Sequence, residues 1–211
     1  MKTDKLIDAL VADRAPRSKP LRWALAAALL AGGLVSFALF LAALGVRVDI
    51  APALGTWRFD LKIGLVLLAL GLAFSLCIAL SRPVAPAHPG RRLLPLAALA
   101  VLAVAIELLA LPSVSWASRL VGSNAVVCLI AIPTLAIVPL VAVLAILRSG
   151  APASPALAGG AAGLLAAAAA AALYAFHCFD DSPLFVVTWY GLATLPVIAL
   201  GAVIGHRLLR W

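Results

Sequence analysis

The sequence predicts an all-α polytopic membrane protein, a bundle of six transmembrane helices preceded by a short amphipathic helix. Three observations predict it. Hydrophobic residues make up 65% of the chain and charged residues 11%, whereas a soluble domain is nearer half apolar and about a quarter charged. A globular core of this length cannot bury that much apolar side chain, but a bilayer accepts it. Six runs are long enough for a hydrocarbon layer that takes about 20 helical residues to cross: 23–46, 61–80, 93–111, 125–147, 157–176 and 184–204. They are rich in Leu and Ala and lack the alternation of a membrane barrel, and in lipid a helix satisfies its own backbone hydrogen bonds.

Charge sets the orientation. With the N-terminus inside, the inner segments hold Lys2, Lys5, Arg14, Arg17, Lys19, Arg22, Arg82, Arg91, Arg92, Arg148, Arg207 and Arg210, against Arg47, Arg58, Lys62 and Arg119 outside. Twelve against four puts both termini in the cytoplasm by the positive-inside rule. The net charge of +8 then reads as anchoring to an anionic inner leaflet, with no direct nucleic-acid binding. The chain divides into a cytoplasmic head, 1–22, and a membrane domain, 23–211. The first run is too long for a signal-peptide core and is expected to be retained.

In the head, Leu6, Ile7, Leu10 and Val11 share one helical face, with Thr3 or Asp4 as cap and Lys5, Asp8 and Asp13 elsewhere. A helix this short needs an apolar surface to lie against. Two are available, the inner leaflet and a cytoplasmic partner, and three carboxylates fit the leaflet poorly. The loop from Arg47 to Lys62 is expected to be solvated, with Trp57 and Phe59 as interface anchors. Pro83, Pro86 and Pro89 suggest an extended inner connector around His88. Glu107, near the outer end of the third run, should face the bundle interior or water, or reach the headgroups. Pro133 and Pro139 should bend the fourth helix and free carbonyls on its inner side. Gly159 and Gly163, with Gly201 and Gly205, provide small-residue faces for close helix approach.

The chemistry concentrates between the fifth and sixth runs, where His177, Cys178, Asp180 and Asp181 stand together. Cys128, one to two turns into the fourth run, approaches the same depth, while Cys77 lies near the inner face. Buried free thiols, a redox-switchable pair, and a soft metal site of Cys128, His177 and Cys178 with Glu107, Asp180 or Asp181 all fit the residue types. No resident cofactor is implied; a soft ion or a reversible disulfide would be the signal. There is no glycine-rich phosphate loop, nucleophile elbow or His-Glu-x-x-His, so the sequence argues against an enzyme. A metal-transport or channel subunit is an alternative, but it lacks polar groups continuing through the spans. A structural membrane partner protein is another.

Lys2-Thr-Asp-Lys-Leu-Ile-Asp-Ala-Leu10, Ile132-Pro133, Arg148-Ser-Gly-Ala-Pro152, Trp189-Tyr190 and above all Tyr174-Ala-Phe-His-Cys-Phe-Asp-Asp-Ser-Pro183 carry a resemblance. With the terminal Gly205-His-Arg-Leu-Leu-Arg-Trp211, the whole chain resembles the NrsF-type anti-sigma factors. The resemblance implies a negative regulator in the bacterial inner membrane. Its head would hold an extracytoplasmic-function sigma factor until an envelope stress signal arrives, through Asp4, Leu6, Ile7, Asp8, Leu10 and Val11. It also implies sensing by two matching cysteines, here Cys128 and Cys178.

Overall fold

The computed structural model describes residues 20–84 and 86–210, together with Thr3, Ile7 and Asp8. Thr3, Ile7 and Asp8 are helical and exposed. Asp4, Leu6, Leu10, Val11 and Trp211 lie outside the described residues, as does Asp13.

Six helices are long and apolar enough to cross a membrane. They are α1 (Leu21–Ala43), α2 (Trp57–Leu80), α3 (Leu94–Ala110, which reaches spanning length with the 3₁₀ turn that precedes it from Pro89), α4 (Ala125–Leu147), α5 (Pro155–Tyr174) and α6 (Pro183–Leu208). No strand occurs among the described residues. The protein is therefore an all-α polytopic membrane protein.

Local chemistry explains the ends. α1 closes at Gly45, whose φ of 73° lets its N–H and that of Leu44 both reach the Phe40 carbonyl. α2 begins four residues before the apolar run, because the Thr56 hydroxyl accepts from Phe59 N–H and Asp60 favours the first turn. Arg58 and Lys62 are therefore helical, where a solvated loop was expected. The Pro-spaced connector ends in a 3₁₀ turn, Pro89–Leu93, that leads into α3. α6 opens on Pro183 and contains a π-helical turn at Val186–Tyr190.

α5 is the axis of the bundle. It packs against α2, α4 and, most extensively, α6. Ala and Gly make that possible, since a Cβ on Gly205 would lie 2.6 Å from Gly159 Cα and one on Gly163 would lie 2.8 Å from Ile198 Cα. α3 is peripheral and buries only Ala103 and Glu107. α1 lies on α4 at Pro139. Proline has no N–H for the carbonyl four residues back, and Ser36 Oγ on α1 donates to that freed Leu135 carbonyl at 2.7 Å. Gly32, one turn earlier, lets α1 come close, because a Cβ there would sit 2.8 Å from Pro139 Cα. The expectation that Pro139 frees a carbonyl on the inner side is met, and a second helix uses it.

Candidate functional site

α1, α3 and α5 finish at the same end of the bundle at which α2, α4 and α6 begin. The turn between α5 and α6 is bound there to every neighbouring connection. Arg47 N–H donates to the Phe176 carbonyl at 2.9 Å. The His177 ring Nδ1 lies 3.0 Å from the Gly45 carbonyl. Arg47 Nη1 and Lys62 Nζ both donate to the Cys178 carbonyl, at 3.0 and 2.8 Å. The first loop is thus a structural partner of the turn.

Charge pairing closes the lattice. Asp181 accepts from Arg47 Nη1 at 2.9 Å and pairs with Lys62. Arg47 also holds Asp49 through Nε and Nη2, each at 2.7 Å. Lys62 is 1% exposed and Arg47 6%. Charges at such depth persist only when paired and hydrogen-bonded. The Asp49 pair keeps Arg47 charged, outweighing the opposing effect of burial, and Asp181 adds to it. The same hydrogen bond holds the Asp49 carboxyl below the usual carboxylate range. Arg47 also lies 4.9 Å from the Phe179 ring centroid.

Two further carboxylates act as helix caps from a distance. Asn124 gives α4 no side-chain cap; instead Asp180 Oδ2 accepts from Asn124 N–H at 2.9 Å and Ser123 N–H at 3.0 Å. Gly122 permits this approach, with φ of 57° and no room for a side chain against Phe185 and Asp180. Glu107 Oε2 on α3 accepts from Ser182 Oγ at 2.7 Å and Leu184 N–H at 3.0 Å, which caps α6. Glu107 is 1% exposed, so of the settings considered for it, the bundle interior is the one adopted. Its second oxygen has no hydrogen bond and faces Arg119 Nη1 at 3.6 Å and Arg58 Nε at 3.8 Å.

Beneath the lattice lie the thiols. Cys128 and Cys178 are both free, fully buried and part of one core cluster. Tyr174 ties them together: its carbonyl accepts from Cys178 N–H at 3.0 Å, and its hydroxyl donates at 3.4 Å to the Asn124 carbonyl, which also accepts from Cys128 N–H. Tyr190 packs against Tyr174 with ring centroids 5.8 Å apart and planes tilted by 55°, and its buried hydroxyl has no partner. Burial pushes the Cys178 thiol above its ordinary range, against the opposing pull of Lys62.

Cys128, His177, Cys178, Asp180, Asp181 and Glu107 thus gather at one end, but with separate duties. Asp180 and Glu107 cap helices, Asp181 pairs with cations and His177 meets a backbone carbonyl. Among the described residues, no three His, Cys, Asp or Glu side chains are grouped to hold a metal ion. The reading from sequence passed over Arg47, Arg58, Lys62 and Arg119. A signal for them existed, since they are the four basic residues that run against the charge asymmetry.

Six apolar helices, tied at one end by a paired-charge lattice over two thiols, define a polytopic membrane protein. The chain belongs to the NrsF family, negative regulator of sigma F, whose model matches residues 10–211, and so to a family of regulators rather than enzymes. It is 36% identical over 216 residues to a probable anti-sigma-F factor NrsF of Azospira oryzae, with both chains covered in full. It is 35% identical over 223 residues to the anti-sigma-F factor NrsF of Caulobacter vibrioides, again with both covered in full. No solved structure matches the chain.

Proposed function

We propose that this protein is a membrane-bound anti-sigma factor. It holds an extracytoplasmic-function sigma factor at the inner face of the bacterial inner membrane and releases it when an envelope signal reaches Cys128 and Cys178. Full-length similarity to two anti-sigma-F factors carries the class. Both termini face the cytoplasm, and the charged end of the bundle faces out. Leu6, Ile7, Leu10 and Val11 dock on the sigma factor while Asp4, Asp8 and Asp13 meet its basic surface. Ile7 is 52% exposed, which fits a face kept for a partner.

The thiols are the switch. A two-electron oxidant such as a peroxide takes two electrons and two protons from the pair, forming one S–S bond and water. A soft ion held by both thiolates is the second reading; with the neighbouring carboxylates engaged elsewhere, sulfur is what it would have to bind. Full burial and a raised Cys178 pKa make the resting thiols slow to react. The signal therefore acts on an opened lattice. Cys128 rides on α4, and α4 is bonded to α1 through Leu135 and Ser36. α1 follows the head, so a shift of α4 has a short path to the docking face.

The test is a pull-down from membranes with a sigma-dependent reporter in the same strain. Deleting residues 1–14 should abolish capture and leave the reporter constitutively on. The Cys128→Ser, Cys178→Ser double variant should capture normally and no longer respond to oxidant. Repression surviving the deletion would refute docking by the head; a normal oxidant response in the double variant would refute thiol sensing.

A further inference from the structure

α3 is tied to the bundle at its two ends and stands off between them. At the charged end Glu107 holds the start of α6. At the opposite end Arg92 Nη1, just before α3, donates to Ser75 Oγ on α2 at 2.7 Å. α3 meets α6 chiefly at the first turn of α6, Pro183–Phe185. A cavity of about 310 Å³ is left beneath it. Leu96 and Ala100 of α3 line it, facing Leu65 of α2, Ala168 of α5 and the π-helical turn of α6 through Val186 and Tyr190. Val187, Gly191 and Leu195 follow a turn apart on α6, border the cavity and are exposed. The cavity therefore opens sideways, within the spanning segments, onto the bilayer.

The lining says what can enter. No charged side chain borders the cavity. Thr194 Oγ1 is spent on the Tyr190 carbonyl at 2.7 Å, and the Tyr190 hydroxyl has no exposed surface. Water needs about two to four polar partners to stay in such a space, and these residues do not supply them. Glycine weakens a helix interior, and the glycines of the α5–α6 contact are explained by close approach. Gly191 is not, since a Cβ there would meet nothing within 4 Å. Gly33, Gly64 and Gly71 are equally open, but of these four Gly191 is the one that borders the cavity. Its missing side chain keeps the entrance clear.

We propose that this cavity holds the hydrocarbon chain of a membrane lipid, which enters between α3 and α6 past Gly191. The opening meets only the bilayer. A chain of methylenes asks for close contact without hydrogen bonds, which is what the lining offers, and an empty apolar space would forfeit that contact. The volume is at the small end of ligand sites, which run from about 300 to 1,000 Å³, so it takes one chain while the headgroup stays at the membrane surface. Tyr190 also packs against Tyr174, so the bound chain abuts the thiol cluster. The lipid site does not rest on thiol sensing.

The experiment uses full-length protein in nanodiscs of phosphatidylcholine whose acyl chain carries a diazirine at mid-length. After irradiation, adducts are located by peptide mass spectrometry. Leu65 and Ala168 are only 5% and 4% exposed, so adducts there mark a chain inside the cavity and not the surrounding lipid. Gly191→Leu fills the entrance from α6 without meeting a neighbour, and Ala100→Leu fills it from α3. Each should lower the adducts at Leu65 and Ala168 about ten-fold and leave those at the exposed Leu30 and Leu34 of α1 unchanged. The proposal is overturned if wild-type protein is labelled on α1 but not at Leu65 and Ala168, or if neither variant lowers that labelling. It is also overturned if native mass spectrometry finds a small molecule other than a phospholipid retained and those adducts are missing. Size-exclusion profiles exclude misfolded protein from the comparison, and either variant alone suffices.

Discussion

Asp181→Asn tests the charge lattice most directly. The carboxylate stands between Arg47 and Lys62. Arg47 keeps Asp49 when Asp181 is neutralised, so its loss is modest. Lys62 keeps the Cys178 carbonyl, the Phe59 ring 5.1 Å away and at best a neutral amide oxygen at position 181, so at 1% exposure its ammonium becomes a buried charge without a counter-ion. Removing one partner of such a pair costs about 3–5 kcal/mol, whereas replacing the pair with apolar groups is near neutral. Asp181→Asn should therefore destabilise by about 3 kcal/mol or more, and adding Lys62→Met should recover about 2 kcal/mol of it. The assay is denaturant unfolding in detergent micelles, followed by tryptophan fluorescence for all four members of the cycle. A single-variant cost below about 1 kcal/mol, or a double variant no better than the single, would refute the reasoning that Lys62 depends on Asp181.

Three further outcomes are expected. Ser36→Ala should cost about 0.5–1.5 kcal/mol, because it leaves the Leu135 carbonyl unpaired, and almost nothing in a Pro139→Ala background, where α4 supplies its own N–H. Unfolding of the four proteins shows whether the two substitutions couple. Gly159→Leu places a side chain against the Gly201 carbonyl and Gly205 Cα, and should either cost about 3 kcal/mol or more or prevent assembly of α5 with α6. Yield and size-exclusion profile report it. Cys178 has a folded pKa raised above its unfolded value. The stability this contributes is complete below the ordinary thiol pKa, about 8.5, and is lost as pH rises beyond it. Maleimide labelling of Cys178 should stay slow at neutral pH and accelerate on adding denaturant; fast labelling of the native protein would refute its burial.

Hydropathy, Pro and Gly reported reliably on whatever each helix does by itself. The run 125–147 coincides with α4, and Gly159, Gly163, Gly201 and Gly205 meet where α5 and α6 touch. The polar edge of the first loop misled, because hydropathy stops the span short of Arg58 and places Lys62 at its rim. Their partners make them part of one. Lys62 and Asp181 are 119 residues apart, and Arg47 and Asp181 134; no local pattern relates them. Asp180 and Asp181 read as interchangeable candidate ligands and proved to be a helix cap and an ion-pair partner facing different neighbours.

What the sequence determined alone is the number and placement of the spans. In lipid the backbone must find its hydrogen bonds inside the protein, and a helix satisfies nearly all of them itself, so an apolar run of sufficient length folds as a helix. Only tertiary structure decided which polar groups meet. Each buried charge at the bundle end is tolerable only beside a partner, and for Lys62 and Glu107 that partner comes from another segment brought in by packing. Local chemistry makes the helices, and the cost of leaving a charge unpaired selects how their ends join.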